Sequence, residues 1–222
     1  MKRINLFTGH FGSGKTEIAI NYARKLKQEG IAKVTIVDLD IVNPYFCSRD
    51  LEDELKEEGI RVISQGRHLA NAELMVVPAE VMAAFQQKDH TVIFDVGGDD
   101  MGATALGQYN RFFREEDYDM FFVVNINRPL TRDLPGVREY LDAIEHSSRL
   151  KVSKLVNNTN LGTATSLSDI QAGEQLIRQL SEQTGLPHAF TAVRRDLAEE
   201  ARSVVAGEMI PIDITMKPPW VD

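Results

Sequence analysis

Apolar residues fall along the chain in short runs rich in β-branched and aromatic residues, set between longer stretches where they return every three or four positions. The short runs are Lys2–Thr8 (Ile4, Leu6, Phe7), Lys33–Asp38 (Val34, Ile36, Val37), Ile60–Ser64, Thr91–Asp95, Met120–Asn125, Val152–Asn157 and Ala189–Val193. Several are apolar on consecutive positions, the pattern of parallel strands covered on both faces. A final run, Met209–Ile214, contains Pro211 and reads as an edge element, because proline gives up a ladder donor. The stretch Glu17–Gln28 puts Ile18, Ala19, Tyr22, Ala23 and Leu26 at helical spacing, with Gly30 just past its end. Further helices are predicted over Ser48–Glu58, Pro78–Gln87, Thr104–Arg114, Thr131–His146, Ser168–Thr184 and Asp196–Ala206. Pro78 stands at the favoured first-turn position, and Ser168 with Gln171 three residues on resembles a capping box.

This strand–helix alternation predicts an α/β fold with a mostly parallel, doubly wound sheet flanked by helices. No Ser/Gly/Pro linker, repeat or low-complexity tract divides the sequence, so residues 1–222 are expected to form a single domain.

Composition narrows the function classes. A formal net charge of −8 argues against a broad nucleic-acid surface, leaving room for a small basic patch from Arg194, Arg195 and Arg202. No apolar run approaches the roughly 18 residues needed to span a bilayer, and the tail Ile210–Asp222 makes a poor amphipathic anchor. Met1-Lys2-Arg3 leads directly into the first strand without room for a signal peptide, so a cytoplasmic location is expected. Cys47 is the single cysteine, which excludes an intrachain disulfide and a zinc cluster of cysteines; it reads as a structural thiol.

The strongest chemistry lies at residues 9–16, Gly-His-Phe-Gly-Ser-Gly-Lys-Thr, which fit G-x-x-x-x-G-K-[ST] with Gly9, Gly14, Lys15 and Thr16 at the fixed places. Glycines let several backbone N–H groups turn toward one phosphate, and the following helix adds the positive end of its dipole. Lys15 can reach β/γ-phosphates and the Thr16 hydroxyl can hold Mg²⁺. A nucleotide is therefore the expected ligand, held by Gly9, Gly12, Ser13, Gly14, Lys15, Thr16 and the adjoining Glu17.

In such sheets ligands gather at the carboxyl ends of the strands, where three more segments fall. Val37-Asp38-Leu39-Asp40 ends one strand in two aspartates, with helix capping or a turn before Asn43-Pro44 as the plainer reading. Val92-Ile93-Phe94-Asp95-Val96-Gly97-Gly98 has four apolar residues closed by a carboxylate that can hold the water shell of Mg²⁺, followed by glycines that can present an N–H to a γ-phosphate. Of Asp99 and Asp100, at most one is expected to act on the ligand. Val156-Asn157-Asn158-Thr159-Asn160 supplies amides suited to a purine edge, and equally to a turn.

Together these residues resemble the MinD/ParA/CobQ-type branch of P-loop proteins, the group that includes nitrogenase iron protein and the signal-recognition GTPases. The resemblance implies that Thr16 ligates Mg²⁺ with Asp38 and Asp95 in its outer shell, that Asp40 orients the attacking water beside catalytic Lys15, that Gly98 senses the γ-phosphate, and that Asn157 or Asn158 contacts the base. It also implies nucleotide-dependent homodimerisation or a partner protein. In MinD/ParA proteins a signature lysine follows the first loop glycine; here His10 stands there, able to substitute only when protonated, and a neutral loop histidine is the favoured reading. A cluster shared between subunits needs two cysteines from each, and one is present. The absence of an Asn-Lys-x-Asp segment favours ATP over GTP by about tenfold. The expectation is a Mg²⁺-dependent ATPase switch. The alternatives are an ATP-dependent small-molecule kinase or dethiobiotin-synthetase-like ligase, with a pocket walled by Asn71–Met82 and Asp99–Tyr109, and a non-hydrolysing nucleotide sensor.

Overall fold

The computed structural model describes residues 2–40, 51–64, 79–98 and 100–216. Expectations for Cys47, Asn43-Pro44, Pro78, Asp99, the stretch 71–78 and the end of the C-terminal tail lie outside them. The described strands are β1 (Ile4–Thr8), β2 (Val34–Asp38), β3 (Ile60–Ser64), β4 (Thr91–Asp95), β5 (Tyr118–Val124), β6 (Lys154–Asn157), β7 (His188–Arg194) and β8 (Met209–Ile212). They form one eight-stranded sheet in the order β3-β2-β4-β1-β5-β6-β7-β8, with every neighbouring pair parallel. Pro211 sits on the β8 edge opposite Val193, where its missing N–H costs no ladder bond.

Strand parity divides the core. Ile4 and Leu6 of β1, Val37 of β2, Phe94 of β4 and Leu155 of β6 share one face with residues of α3 (Ala79–Gln86), α4 (Asp100–Gln108), α5 (Asn110–Arg114), α6 (Leu134–Ser148) and α7 (Leu167–Thr184). Phe7, Ile36, Ile93, Val156 and Phe190 share the other with α1 (Lys15–Gln28) and Leu55 of α2 (Glu52–Glu57). A smaller cluster seats α8 (Ala198–Ala201) against Ile170 and Val193. With both faces apolar, the strands show consecutive rather than alternating hydrophobicity.

Several helix limits differ from the sequence expectation for identifiable reasons. The capping box of α7 is formed by Ser166 and Asp169, not by Ser168 and Gln171: Ser166 is the extended residue before the first turn, and its hydroxyl and Asp169 exchange bonds with each other's backbone N–H. The stretch from Thr131 does not begin a helix; a 3-10 turn covers Pro129–Thr131, and α6 starts at Leu134, where the Asp133 side chain accepts from the Gly136 N–H. Thr104–Arg114 is two helices parted at Tyr109. Asp196–Ala206 shortens to a 3-10 turn over Arg195–Leu197 and the single turn of α8. Among the described residues no helix is long and apolar enough to cross a membrane.

Candidate nucleotide-binding site

The loop between β1 and α1 is shaped by its glycines. Gly9, Gly12 and Gly14 have φ of 149°, 75° and 88°, values that side-chain-bearing residues rarely adopt. Gly9 has a second reason to lack a Cβ, since one would run into the Val123 carbonyl of β5. Gly14 ends the loop as the left-handed N-cap of α1, with no side-chain capping hydrogen bond. The first-turn N–H groups of α1 and its dipole therefore face the cleft. The Lys15 ammonium folds back to donate to the His10 carbonyl at 3.3 Å.

Parity and register bring two carboxylates to this helix start. Asp38 and Asp95 are aligned partners at the ends of β2 and β4, and Phe7 is aligned with Asp95. Phe7, Ile36 and Ile93 lie on the α1 face, so Asp38 and Asp95, each two residues beyond one of these or aligned with it, share that face. Asp40, just past β2, donates its N–H to Asp38 Oδ1 at 3.0 Å and sets its own Oδ1 beside Gly97. All three aspartates are buried. Burial pushes the Asp95 carboxyl up to about 8, Asp38 and Asp40 add repulsion, and the Thr16 hydroxyl and Lys15 pull the other way. A polyanion-bound divalent cation suits this donor set of carboxylates and a hydroxyl. Among the described residues no group of three or more His, Cys, Asp or Glu could hold a metal ion by itself.

Gly98 packs directly on the loop. A Cβ there would lie 2.7 Å from the Phe11 N, 2.9 Å from its Cα and 2.5 Å from Lys15 Nζ. Its carbonyl accepts from the Tyr140 hydroxyl of α6, and the Tyr140 ring meets His10 edge-on at 5.0 Å between centroids. Burial holds His10 below its ordinary value; a backbone hydrogen bond at Phe11 opposes this, while Lys15 and Arg128 add to it. His10 is thus neutral near pH 7, and the loop's cations are Lys15 and Arg128, the latter donating from Nε to the Gly12 carbonyl at 2.8 Å. Arg128 escaped the sequence reading because it follows β5, a strand end that carries none of the acidic or glycine signals.

The two adjacent asparagines part company. Asn157 shares the parity of Leu155 and turns toward α7, where its Nδ2 donates to Glu174 Oε1 at 3.0 Å and its Oδ1 accepts from the Thr159 N–H at 3.0 Å. Gly173 makes room, since a Cβ there would strike Asn157 Oδ1 and Thr159. Asn158 turns to the phosphate loop: its Nδ2 donates to the Ser13 carbonyl at 2.7 Å, and its buried Oδ1 has no hydrogen-bond partner.

Several of these groups border a cleft of about 550 Å³, lined by the loop residues His10–Gly12 and Gly14–Glu17, by Asp40, Arg128, Pro129, Asn158, Asn160 and Gly162, and by Ile212, Ile214 and Met216, while Asp38, Asp95 and Gly98 lie behind that lining. Asn157 is not on it. The sequence reading missed the post-β8 residues because an edge strand with proline carries no ligand signal. Glu17, predicted to touch nucleotide, spends its carboxylate on that segment: Oε1 accepts from Thr215 N and Oγ1 at 2.9 and 2.6 Å, and Oε2 from Met216 N at 3.0 Å.

A scan against protein-family models finds no match, and no curated protein matches. Among solved structures the chain is similar to FtsY from Mycoplasma mycoides, at 17% identity and TM-score 0.58, covering 85% of this chain and 58% of that one. It is similar to signal recognition particle receptor FtsY from Elizabethkingia anophelis in complex with GDP, at 18% and 0.59, covering 87% and 58%. A third is the signal recognition particle 54 kDa protein from Aeropyrum pernix in complex with GDP, at 20% and 0.55, covering 85% and 40%. At these identities the likeness is one of fold, a P-loop nucleoside-triphosphatase fold. The chain spans about 40–58% of the length of those proteins.

Proposed function

We propose that this chain is a Mg²⁺-dependent nucleoside triphosphatase that binds ATP in the cleft at the carboxyl ends of β1, β2, β5, β6 and β8 and uses hydrolysis as a switch. The observation that carries the reading is the facing of the buried Asp38–Asp95 pair to the first turn of α1, where Lys15 and Thr16 stand at the end of a glycine-shaped loop. Thr16, Asp38 and Asp95 would hold Mg²⁺, which when bound supplies charge neutralisation at the phosphate oxygens. The loop amides and α1 dipole bind the phosphates, and Lys15 exchanges the His10 carbonyl for them. Asp40, beside Gly97, holds and orients the attacking water, and Gly98, packed on the Phe11 amide, meets the γ-phosphate. In phosphoryl transfer such positioning and charge stabilisation are most of what the protein contributes.

Adenine is favoured by the chemistry of the cleft. Guanine needs a carboxylate for its N1 and N2 donors. Of the two acidic side chains on the cleft among the described residues, Glu17 is taken up by Thr215 and Met216, and Asp40 belongs to the phosphate end. Asn158 Oδ1 offers a single neutral acceptor, which suits the adenine N6 amine and discriminates modestly. Two of the similar structures hold GDP, so the decisive test is competition of ATP and GTP for one labelled analogue. ATP is expected to win by about tenfold, roughly 1.4 kcal/mol; a clear GTP preference refutes the adenine assignment. Asp40→Asn is expected to keep Mg²⁺–ATP binding and lower hydrolysis at least about a hundredfold; unchanged turnover removes Asp40 from the reaction.

A switch also needs a reader. The exposed large hydrophobics among the described residues, Phe11, Leu130, Leu161 and Ile214, all lie in the connections that follow strand carboxyl ends, Leu130 in the 3-10 turn. This same face is where a homodimer or partner protein would sense the nucleotide. The cytoplasm is the compartment proposed for it.

A further inference from the structure

Ile214 combines two properties that rarely go together. Its side chain is 48% exposed, yet the backbone on both sides of it is fixed. Asp213 exchanges two hydrogen bonds with Asn21 of α1, its N–H to Asn21 Oδ1 and its carbonyl from Asn21 Nδ2, both at 2.9 Å. Thr215 and Met216 are held by the Glu17 carboxylate through three more bonds of 2.6–3.0 Å. Glu17 and Asn21 are themselves buried, one turn apart on α1. Two buried polar side chains thus bind a strap of irregular backbone to the helix that starts at the phosphate loop. Ile212, Ile214 and Met216 border the same cleft as Lys15 and Thr16. This clamp fixes the backbone on both sides of Ile214 at the border of the cleft.

We infer that the 212–216 strap is the apolar wall against which the base and ribose of the bound nucleotide pack, and that Glu17 is the positioning residue that holds the wall at the phosphate loop. The inference rests on the nucleotide reading above and adds to it. The occupant follows from continuity: the cleft runs without a break from the phosphate loop to the strap, and Asn158, which borders it, keeps a buried Oδ1 without a hydrogen-bond partner. A triphosphate fixed by the loop places its nucleoside in that remaining space. Burying an aromatic ring against aliphatic side chains supplies binding energy without demanding a hydrogen-bond pattern. Glu17 then acts on the nucleotide through the strap and touches no phosphate.

The test separates the two ends of the ligand. Binding of Mg²⁺–ATP and of Mg²⁺–tripolyphosphate is measured by calorimetry for the wild type, Ile214→Ala and Glu17→Ala. The expected result is an ATP affinity about tenfold weaker in both variants with tripolyphosphate affinity unchanged, since only the nucleoside meets the strap. Because Ile214 is half exposed, its alanine variant keeps the fold and decides the matter where Glu17→Ala does not fold. Equal losses for both probes place these residues at the phosphate end and overturn the wall. Unchanged ATP affinity in Ile214→Ala overturns it alone, leaving the nucleotide reading intact. A wild type that binds neither probe overturns the nucleotide reading and the wall with it.

Discussion

Substituting Gly173 by alanine tests the partition of the two asparagines, because opposing effects there differ in sign. Gly173 lies inside α7, and in an unobstructed helix interior Gly→Ala stabilises by about 0.8–1 kcal/mol. Here the added methyl would strike Asn157 Oδ1 and the Thr159 hydroxyl and come within 2.7 Å of Thr159 Cβ. Asn157 cannot step aside cheaply: it is fully buried, donates to Glu174 and accepts from the Thr159 N–H. Overpacking typically costs about 1–3 kcal/mol, and loosening a satisfied buried amide adds about 1–3 kcal/mol. The helix gain is smaller than their sum, so the net expectation is a loss of roughly 2 kcal/mol. With a urea slope of about 2–3 kcal/mol/M, the unfolding midpoint falls by roughly 0.7–1 M. Asn157 is chained to Asn158, whose Nδ2 holds the Ser13 carbonyl, so ATP affinity falls as well. Equilibrium urea unfolding followed by circular dichroism measures the first effect and nucleotide titration the second. A midpoint equal to or above the wild type would mean that Asn157 is not packed against α7, and the assignment of Asn158 alone to the cleft would fail with it.

Lys15→Ala is expected to abolish tight ATP binding, read by fluorescent-analogue titration, while the circular dichroism spectrum is unchanged, because alanine suits the first turn of α1; wild-type affinity would remove Lys15 from the site. The Ser166 hydroxyl and backbone N–H hold the Asp169 carboxyl below its ordinary 3.8. A depressed carboxyl stabilises the folded state above the unfolded pKa, and the contribution is lost as pH falls through the folded one. The stability gap between wild type and Asp169→Asn is therefore expected to be full near neutral pH and to close below about pH 4 in a pH series of thermal melts; a gap that persists or widens in acid contradicts the capping box.

Much of the chemistry was legible in the chain because it depends on local constraints. Gly9, Gly12 and Gly14 are needed for backbone angles that a short motif must contain, and Lys15 and Thr16 are fixed one and two residues beyond. The β-α alternation specified a parallel sheet, since buried strands need consecutive apolar residues wherever they sit in it. Helix starts were less legible. Ser166 and Ser168 are both adequate caps in sequence, and the packing of Ile170 and Leu176 into separate clusters chooses the phase.

What only the tertiary structure decided is which side of the sheet each strand-end polar group faces. In a half-exposed strand, alternation of polar and apolar residues announces the face. Here both faces are apolar, so Val156 and Leu155 look alike although they point to α1 and to α7, and nothing local assigns Asn157 to one helix and Asn158 to the other. The same holds for Glu17, adjacent to the phosphate loop in sequence yet bound to Thr215 and Met216, 198 and 199 residues away. Sequence fixed the backbone angles and residue types of the loop, because these are set within a few bonds. The sides of the cleft were set by strand order and parity, which depend on contacts between segments distant along the chain.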